Sequence, residues 1–199
     1  MTPPDVVIVD SGGANLASLR YALDRLGARS AVSAEAGAIS AARRVLLPGV
    51  GAAPDAMARL QQLQLVDCLR SLQQPLLGIC LGMQLLFSHS AEGATDCLGV
   101  IAGSVQRLVA VPGRPVPHMG WNSCLQTRDE PLLTGIGVSD YFYFVHSYAA
   151  GALGDTTALT EYGDAFSAVV SHGNFHGVQF HPERSSVAGA RVLANFLAL

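Results

Sequence analysis

Residues 75–84, Pro75-Leu76-Leu77-Gly78-Ile79-Cys80-Leu81-Gly82-Met83-Gln84, constrain the fold more than any other stretch of the chain. An apolar run reaches a cysteine bracketed by Gly78 and Gly82, and a helix-like pattern (Met83, Leu85, Leu86, Phe87) follows at once. Glycine-x-nucleophile-x-glycine between a strand and a helix is a sharp turn that exposes its central side chain while small neighbours admit a substrate. Free N–H groups and the positive dipole end at the start of that helix favour a thiolate. The backbone N–H of Leu81 is an oxyanion donor in such a turn. On this stretch alone, a buried core thiol explains Cys80 as well as a nucleophile does.

The flanking segments read as an α/β chain. Val6-Val7-Ile8-Val9-Asp10 is a β-branched run suited to a strand buried on both faces. Ser11-Gly12-Gly13-Ala14 reads as a tight turn, Asn15 as the N-cap of a helix over 16–26, and Gly27 as its end. The turn is not G-x-G-x-x-G, so a dinucleotide site has little support. Arg44 to Leu47 is the next strand, running into Pro48-Gly49-Val50-Gly51, which is either an ordinary loop or a backbone segment aimed at a ligand. Pro54 opens one long amphipathic helix to about Leu72, with Met57, Leu60, Leu63, Val66 and Leu69 as its core stripe. Residues 88–96 read as a polar loop.

From Leu98 to about Val170 short β-type runs alternate with Gly, Pro and Asp turns, as in antiparallel strands. Here lies Pro117-His118-Met119-Gly120-Trp121-Asn122, whose tryptophan is either core filler or an exposed anchor for a partner. The aromatic strand from Tyr141 ends in His146-Ser147-Tyr148, polar groups at a strand end where ligand contacts often fall. Val187 to Leu199 reads as a closing helix.

Composition excludes several classes. The 199 residues carry a net charge of −3, which argues against nucleic acid as a partner. Half the residues are hydrophobic and 14% charged, so much of the surface is apolar or covered. No run has the length of a membrane span or the pattern of a secretory leader, and a soluble cytoplasmic protein is expected. Cys68, Cys80, Cys97 and Cys124 lack metal or disulfide spacing.

Gly177-Val178-Gln179-Phe180-His181-Pro182-Glu183 decides the role of Cys80. A strand delivers His181, and Pro182 is expected to block any helix and hold the chain extended, with His181 and Glu183 on one side. A carboxylate on one imidazole nitrogen leaves the other for a nucleophile, the base-plus-orienter arrangement.

Together these residues resemble the class I (triad) glutamine amidotransferases over nearly the whole chain. Pro-Gly-Val-Gly at 48–51, Gly-Ile-Cys-Leu-Gly-Met-Gln at 78–84, Val-His-Ser-Tyr at 145–148 and Gln-Phe-His-Pro-Glu at 179–183 carry the likeness. It implies a flavodoxin-like three-layer α/β fold: one domain over 1–199, a central mostly parallel sheet and a small antiparallel addition. It implies Cys80 as nucleophile, His181 as general acid/base and Glu183 as its orienter. The N–H groups of Leu81 and Val50 would form the oxyanion hole, the latter after a flip of the Gly49–Val50 peptide. Gly51, Gln84, Glu92, Ser147 and Tyr148 would hold glutamine, with Glu92 on its α-ammonium group. No cofactor and no metal are called for.

Within the class, His-Met-Gly-Trp-Asn at 118–122 and the Asn15 turn look like the glutaminase subunits of the imidazole glycerol phosphate synthases of histidine biosynthesis. That branch implies a heterodimer with a separate (β/α)8-barrel cyclase subunit, with an ammonia channel between the two. Asn15, Trp121, Asn122 and Arg184 would face the partner. Ser11 stands where the family usually has Tyr, Ala14 where it has a second Gly, and Arg184 where Lys is common, a fork in place of a point charge. The competing readings are a glutaminase for anthranilate or pyridoxal phosphate formation, a non-catalytic interaction subunit, and a cysteine peptidase or thiol esterase.

Overall fold

The computed structural model describes residues 4–12 and 16–199. Asn15, with the N-cap and partner roles expected of it, and Ala14 lie outside them. The first half of the chain runs β1 (Val6–Val9), α1 (Leu16–Arg25), β2 (Ser30–Ser33), α2 (Ala36–Ser40), β3 (Val45–Gly49), α3 (Ala53–Gln62), α4 (Val66–Arg70), β4 (Leu76–Cys80) and α5 (Leu81–Gln84). Short strands follow: β5 (Phe87–Ser90), β6 (Thr95–Asp96), β7 (Ile101–Arg107), β8 (His118–Ser123) and β9 (Leu125–Gln126). The last part comprises β10 (Tyr141–His146), β11 (Tyr148–Ala150), β12 (Thr156–Tyr162), β13 (Asp164–His172), β14 (Phe175–Val178) and α6 (Ser186–Ala198).

The central sheet has the order β2-β1-β3-β4-β14-β13-β12-β9. Its first five strands are parallel and the remaining pairings antiparallel. β1 shows why the layers are three. Val6 and Ile8 enter one apolar cluster with Leu19 and Leu23 of α1 and with Val192, Leu193 and Phe196 of α6. Val7 and Val9 enter the other, with Ile39, Met57, Leu60 and Leu69. Period-two side chains without a polar face need helices on both sides. The antiparallel part is completed by a β10-β8 ribbon and a four-stranded β11-β7-β5-β6 sheet.

Gly49 pairs with Cys80 and Val178 with Ile79, so β3, β4 and β14 end side by side. Open parallel sheets bind ligands outside such carboxyl ends.

Three local expectations are corrected. The helix expected over 54–72 is two helices, broken where Gln64 takes φ +55 and the Leu65 N–H reaches back to the Leu60 carbonyl. Turning the chain there keeps both Leu65 and Leu69 buried, a burial gain that overrides local helix preference. The apolar run after Cys80 is helical only to Gln84; Phe87 starts β5, which pairs with β7. Leu85, Leu86 and Phe87 are all buried, so an all-round apolar segment carried no period to separate helix from strand. The polar loop over 88–96 is instead β5, a 3-10 turn at Glu92–Ala94 and β6.

Candidate active site

Cys80 sits at φ 55 and ψ −113, a conformation rare for a residue with a side chain. Close packing imposes it. A Cβ on Gly82 would lie 1.7 Å from the Leu47 carbonyl oxygen, and one on Gly78 2.6 Å from the Gly82 oxygen. The bracketing glycines thus let α5 press against β3 and β4, beyond leaving room for substrate. α5 is a single turn, so its free N–H groups act at Cys80 without the summed dipole of a long helix.

His181 follows β14, with its backbone N–H on the Tyr143 carbonyl at 2.9 Å. Its Nδ1 lies 2.9 Å from Glu183 Oε1, and both side chains are buried. Burial acts to lower the His181 pKa, but hydrogen bonds and charge from Cys80 and Glu183 outweigh it and push it up to about 10. The extended Pro182 expected here is a correction. Pro182–Arg184 is a 3-10 turn with proline at its start, where the missing N–H costs nothing. The turn still brings His181 and Glu183 together. Buried Ser185 clamps it, donating to the His181 carbonyl at 2.6 Å and accepting the Tyr143 N–H at 2.9 Å.

A cleft of about 370 Å³ opens beside these groups, lined by Val50, Gly51, Cys80, Leu81, Gln84, Glu92, Ser147, Tyr148 and His181 among others. All the residues expected at a glutamine site therefore share one space. Glu92 also accepts the Ala53 N–H at 2.8 Å, capping α3 at its first residue. Gln84 is buried; its amide donates to the Tyr148 carbonyl at 2.8 Å and to Gln179 Oε1 at 3.0 Å. Gln179 in turn places its amide nitrogen 3.7 Å from Cys80 Sγ. Sequence reasoning assigned nothing to Gln179 or Ser185. The available signal was a polar residue inside an apolar strand (Gln179), or directly after the His-Pro-Glu turn (Ser185).

Trp121 is exposed, so it is not core filler. Its ring lies edge-on to Tyr143 with centroids 6.0 Å apart, and the Arg184 guanidinium stands 5.4 Å from the Tyr143 ring centre. Met119 and Tyr141 are exposed alongside. Asn122 is half-buried and bonds within the chain, to the Glu161 carbonyl at 3.0 Å.

A cysteine on a strained elbow, a buried imidazole fixed by a carboxylate, and polar groups around the same cleft can carry acyl transfer from an amide. The model of the family "Glutamine amidotransferase class-I" matches residues 7–199, and the chain belongs to that family of enzymes. It is 52% identical over 195 residues to "Imidazole glycerol phosphate synthase subunit HisH" of Xanthomonas axonopodis pv. citri, covering 98% of each chain. The protein of that name from Xylella fastidiosa (strain Temecula1) is 51% identical over the same share. Among solved structures, a glutamine amidotransferase superposes with TM-score 0.76 at 21% identity, covering 97% of each chain. A structure of PurLQS from Thermotoga maritima gives 0.71 at 18%, covering 99% of each chain. At such identities these two support the fold alone.

Proposed function

We propose that residues 1–199 act as one cytoplasmic glutaminase domain, the glutamine-hydrolysing subunit of imidazole glycerol phosphate synthase in histidine biosynthesis. The observation that carries the chemistry is the elbow cysteine in contact with an imidazole whose far nitrogen lies 2.9 Å from a buried carboxylate. The pathway rests on similarity to the relatives named above. Glu92 holds the α-ammonium group of glutamine, and Gln84, Ser147, Tyr148 and Gly51 shape the cleft around the rest. The Cys80 thiolate attacks the side-chain amide, and the N–H groups of Leu81 and Val50 receive the oxyanion. His181 gives its proton to the amide nitrogen as the C–N bond breaks, so that neutral ammonia leaves; water, activated by the same ring, then releases glutamate from the thioester.

The ammonia has to stay unprotonated to act as a nucleophile, so it leaves through a face sealed by a partner, a (β/α)8-barrel cyclase subunit in a heterodimer. The exposed Met119, Trp121 and Tyr141 beside Arg184 suit that contact, being large apolar groups on the ribbon whose Val145 lines the cleft. Asn15 belongs to this contact by resemblance, and Asn122 meets it from the half-buried side of β8.

Glutamate release by the purified chain, alone and with the cyclase subunit plus its nucleotide ligand, tests the proposal. Strong stimulation by both together is expected. Hydrolysis indifferent to that partner points to another synthase, and none in any combination leaves a non-catalytic subunit. In the complex, Cys80→Ala is expected to abolish glutamine-dependent synthesis and spare synthesis from ammonium salts; loss of both overturns the division of labour.

A further inference from the structure

β8 and β10 place His118 opposite His146, and both side chains are buried. His146 Nδ1 lies 2.9 Å from the Tyr148 carbonyl oxygen, which can only accept, so the proton sits on Nδ1 and Nε2 is bare. His118 Nδ1 is 3.0 Å from that bare nitrogen and is therefore the donor. Its own Nε2 is left to accept, and the Asn122 amide nitrogen stands 3.5 Å away. One carbonyl thus assigns both tautomers. Burial lowers the two imidazoles to about 4 (His118) and about 3 (His146), which keeps both neutral as this chain of donors requires. Past Tyr148 the polar contacts continue through Gln84 and Gln179 to the Cys80 sulfur.

We propose that His118 and His146 are positioning residues, a one-directional hydrogen-bond relay from Asn122 on β8 to the Tyr148 carbonyl. The relay fixes the Tyr148 wall of the glutamine cleft and, through Gln84 and Gln179, the seat of the nucleophile. It takes its ligand from the glutaminase reading. His118 is not a wall of the cleft, so any effect on glutamine is transmitted. β8 carries exposed Met119 and Trp121 between these inward groups, so an occupant of that surface that shifts the strand shifts His118 with it. The ring is fixed for this task, stacked on Tyr162 at 4.0 Å and on Phe144 at 4.9 Å.

Two substitutions separate relay from packing. His118→Phe keeps the stacked ring and deletes both hydrogen bonds; His118→Asn deletes the ring and keeps an N–H near the Nδ1 position. Calorimetric titration of L-glutamine into the Cys80→Ala chain, with and without each change, reads binding without turnover. The relay expects His118→Phe to weaken binding about fivefold or more, the worth of roughly one net hydrogen bond, and His118→Asn to stay within about twofold. Equal binding by His118→Phe and the parent, or weaker binding by His118→Asn than by His118→Phe, overturns it. Nitrogen NMR of the histidine rings provides a second decision, with both expected neutral and protonated on Nδ1 at neutral pH; an Nε2–H tautomer at either position overturns the relay. If the Cys80→Ala parent binds no glutamine either alone or with the cyclase subunit, the glutaminase reading fails, and the tautomers alone decide the relay.

Discussion

The proton on His181 is held by two neighbours working against burial. Cys80 lies on one side of the ring and Glu183 on the other, and together they push its pKa up to about 10 although desolvation acts to lower it. A histidine raised in this way contributes stability fully below its unfolded pKa of about 6.5 and loses it as pH rises towards about 10. Glu183→Gln keeps the shape and removes the charge 2.9 Å from Nδ1. The alkaline limb of kcat/KM is then expected to move down by about one pH unit or more, because an opposite charge at that distance is worth that much. In the same variant kcat is expected to fall roughly 10²-fold or more, the usual worth of a positioned acid-base group. Unchanged limb and kcat would mean that Glu183 neither charges nor aims the ring.

At the scale of elements, α6 sits directly on the His-Pro-Glu turn at 181–183. A Cβ at Gly189 would stand 2.0 Å from the Pro182 carbonyl oxygen and 2.7 Å from Ser185 Cβ. Gly189→Ala is therefore expected to push the His-Pro-Glu turn outward. Overpacking of this kind costs about 1–3 kcal/mol, read from urea unfolding, and kcat should drop more than KM rises because His181 moves while the Glu92 side of the cleft does not. A variant with wild-type stability and kcat would show that the helix yields instead. That contact was not legible in the sequence, where Gly189 is one small residue in an apolar helix. β1 and the cysteine elbow were legible because their signals are local: an unbroken β-branched run, and glycines at fixed offsets from Cys80. The length of α5 and the break at Gln64 were not. Both are decided by which residues the sheet and its neighbours bury, and no Gly or Pro marks either place. The His181–Glu183 pairing was readable from residue types at a strand end, but the Ser185 clamp and the Gln179 contact exist only once β10, β14 and α5 are brought together.

Across the whole molecule, the neutral histidines form an acid-sensitive set distinct from His181. Desolvation lowers His118 to about 4 and His146 to about 3, and it also lowers His176, against an opposing pull from the Glu130 carboxylate. All three are buried, His118 on β8 opposite His146 on β10, and His176 in β14 beside Ser171. In the unfolded chain each takes a proton near pH 6.5, whereas the folded chain leaves it bare. The unfolded state thus binds more protons below that pH, and stability rises with pH through this window and falls as pH drops through it. The chain is expected to lose stability from about pH 6.5 downward, before its carboxylates titrate. His118 and His146 each account for on the order of 1 kcal/mol at about pH 5.5. His118→Phe removes one such proton site, so whatever it costs at neutral pH, its further loss between about pH 7 and pH 5.5 should be smaller than that of the unchanged chain. Urea unfolding at the two pH values measures this directly. An equal loss in both proteins would show that the His118 imidazole is already charged in the folded state at the lower pH.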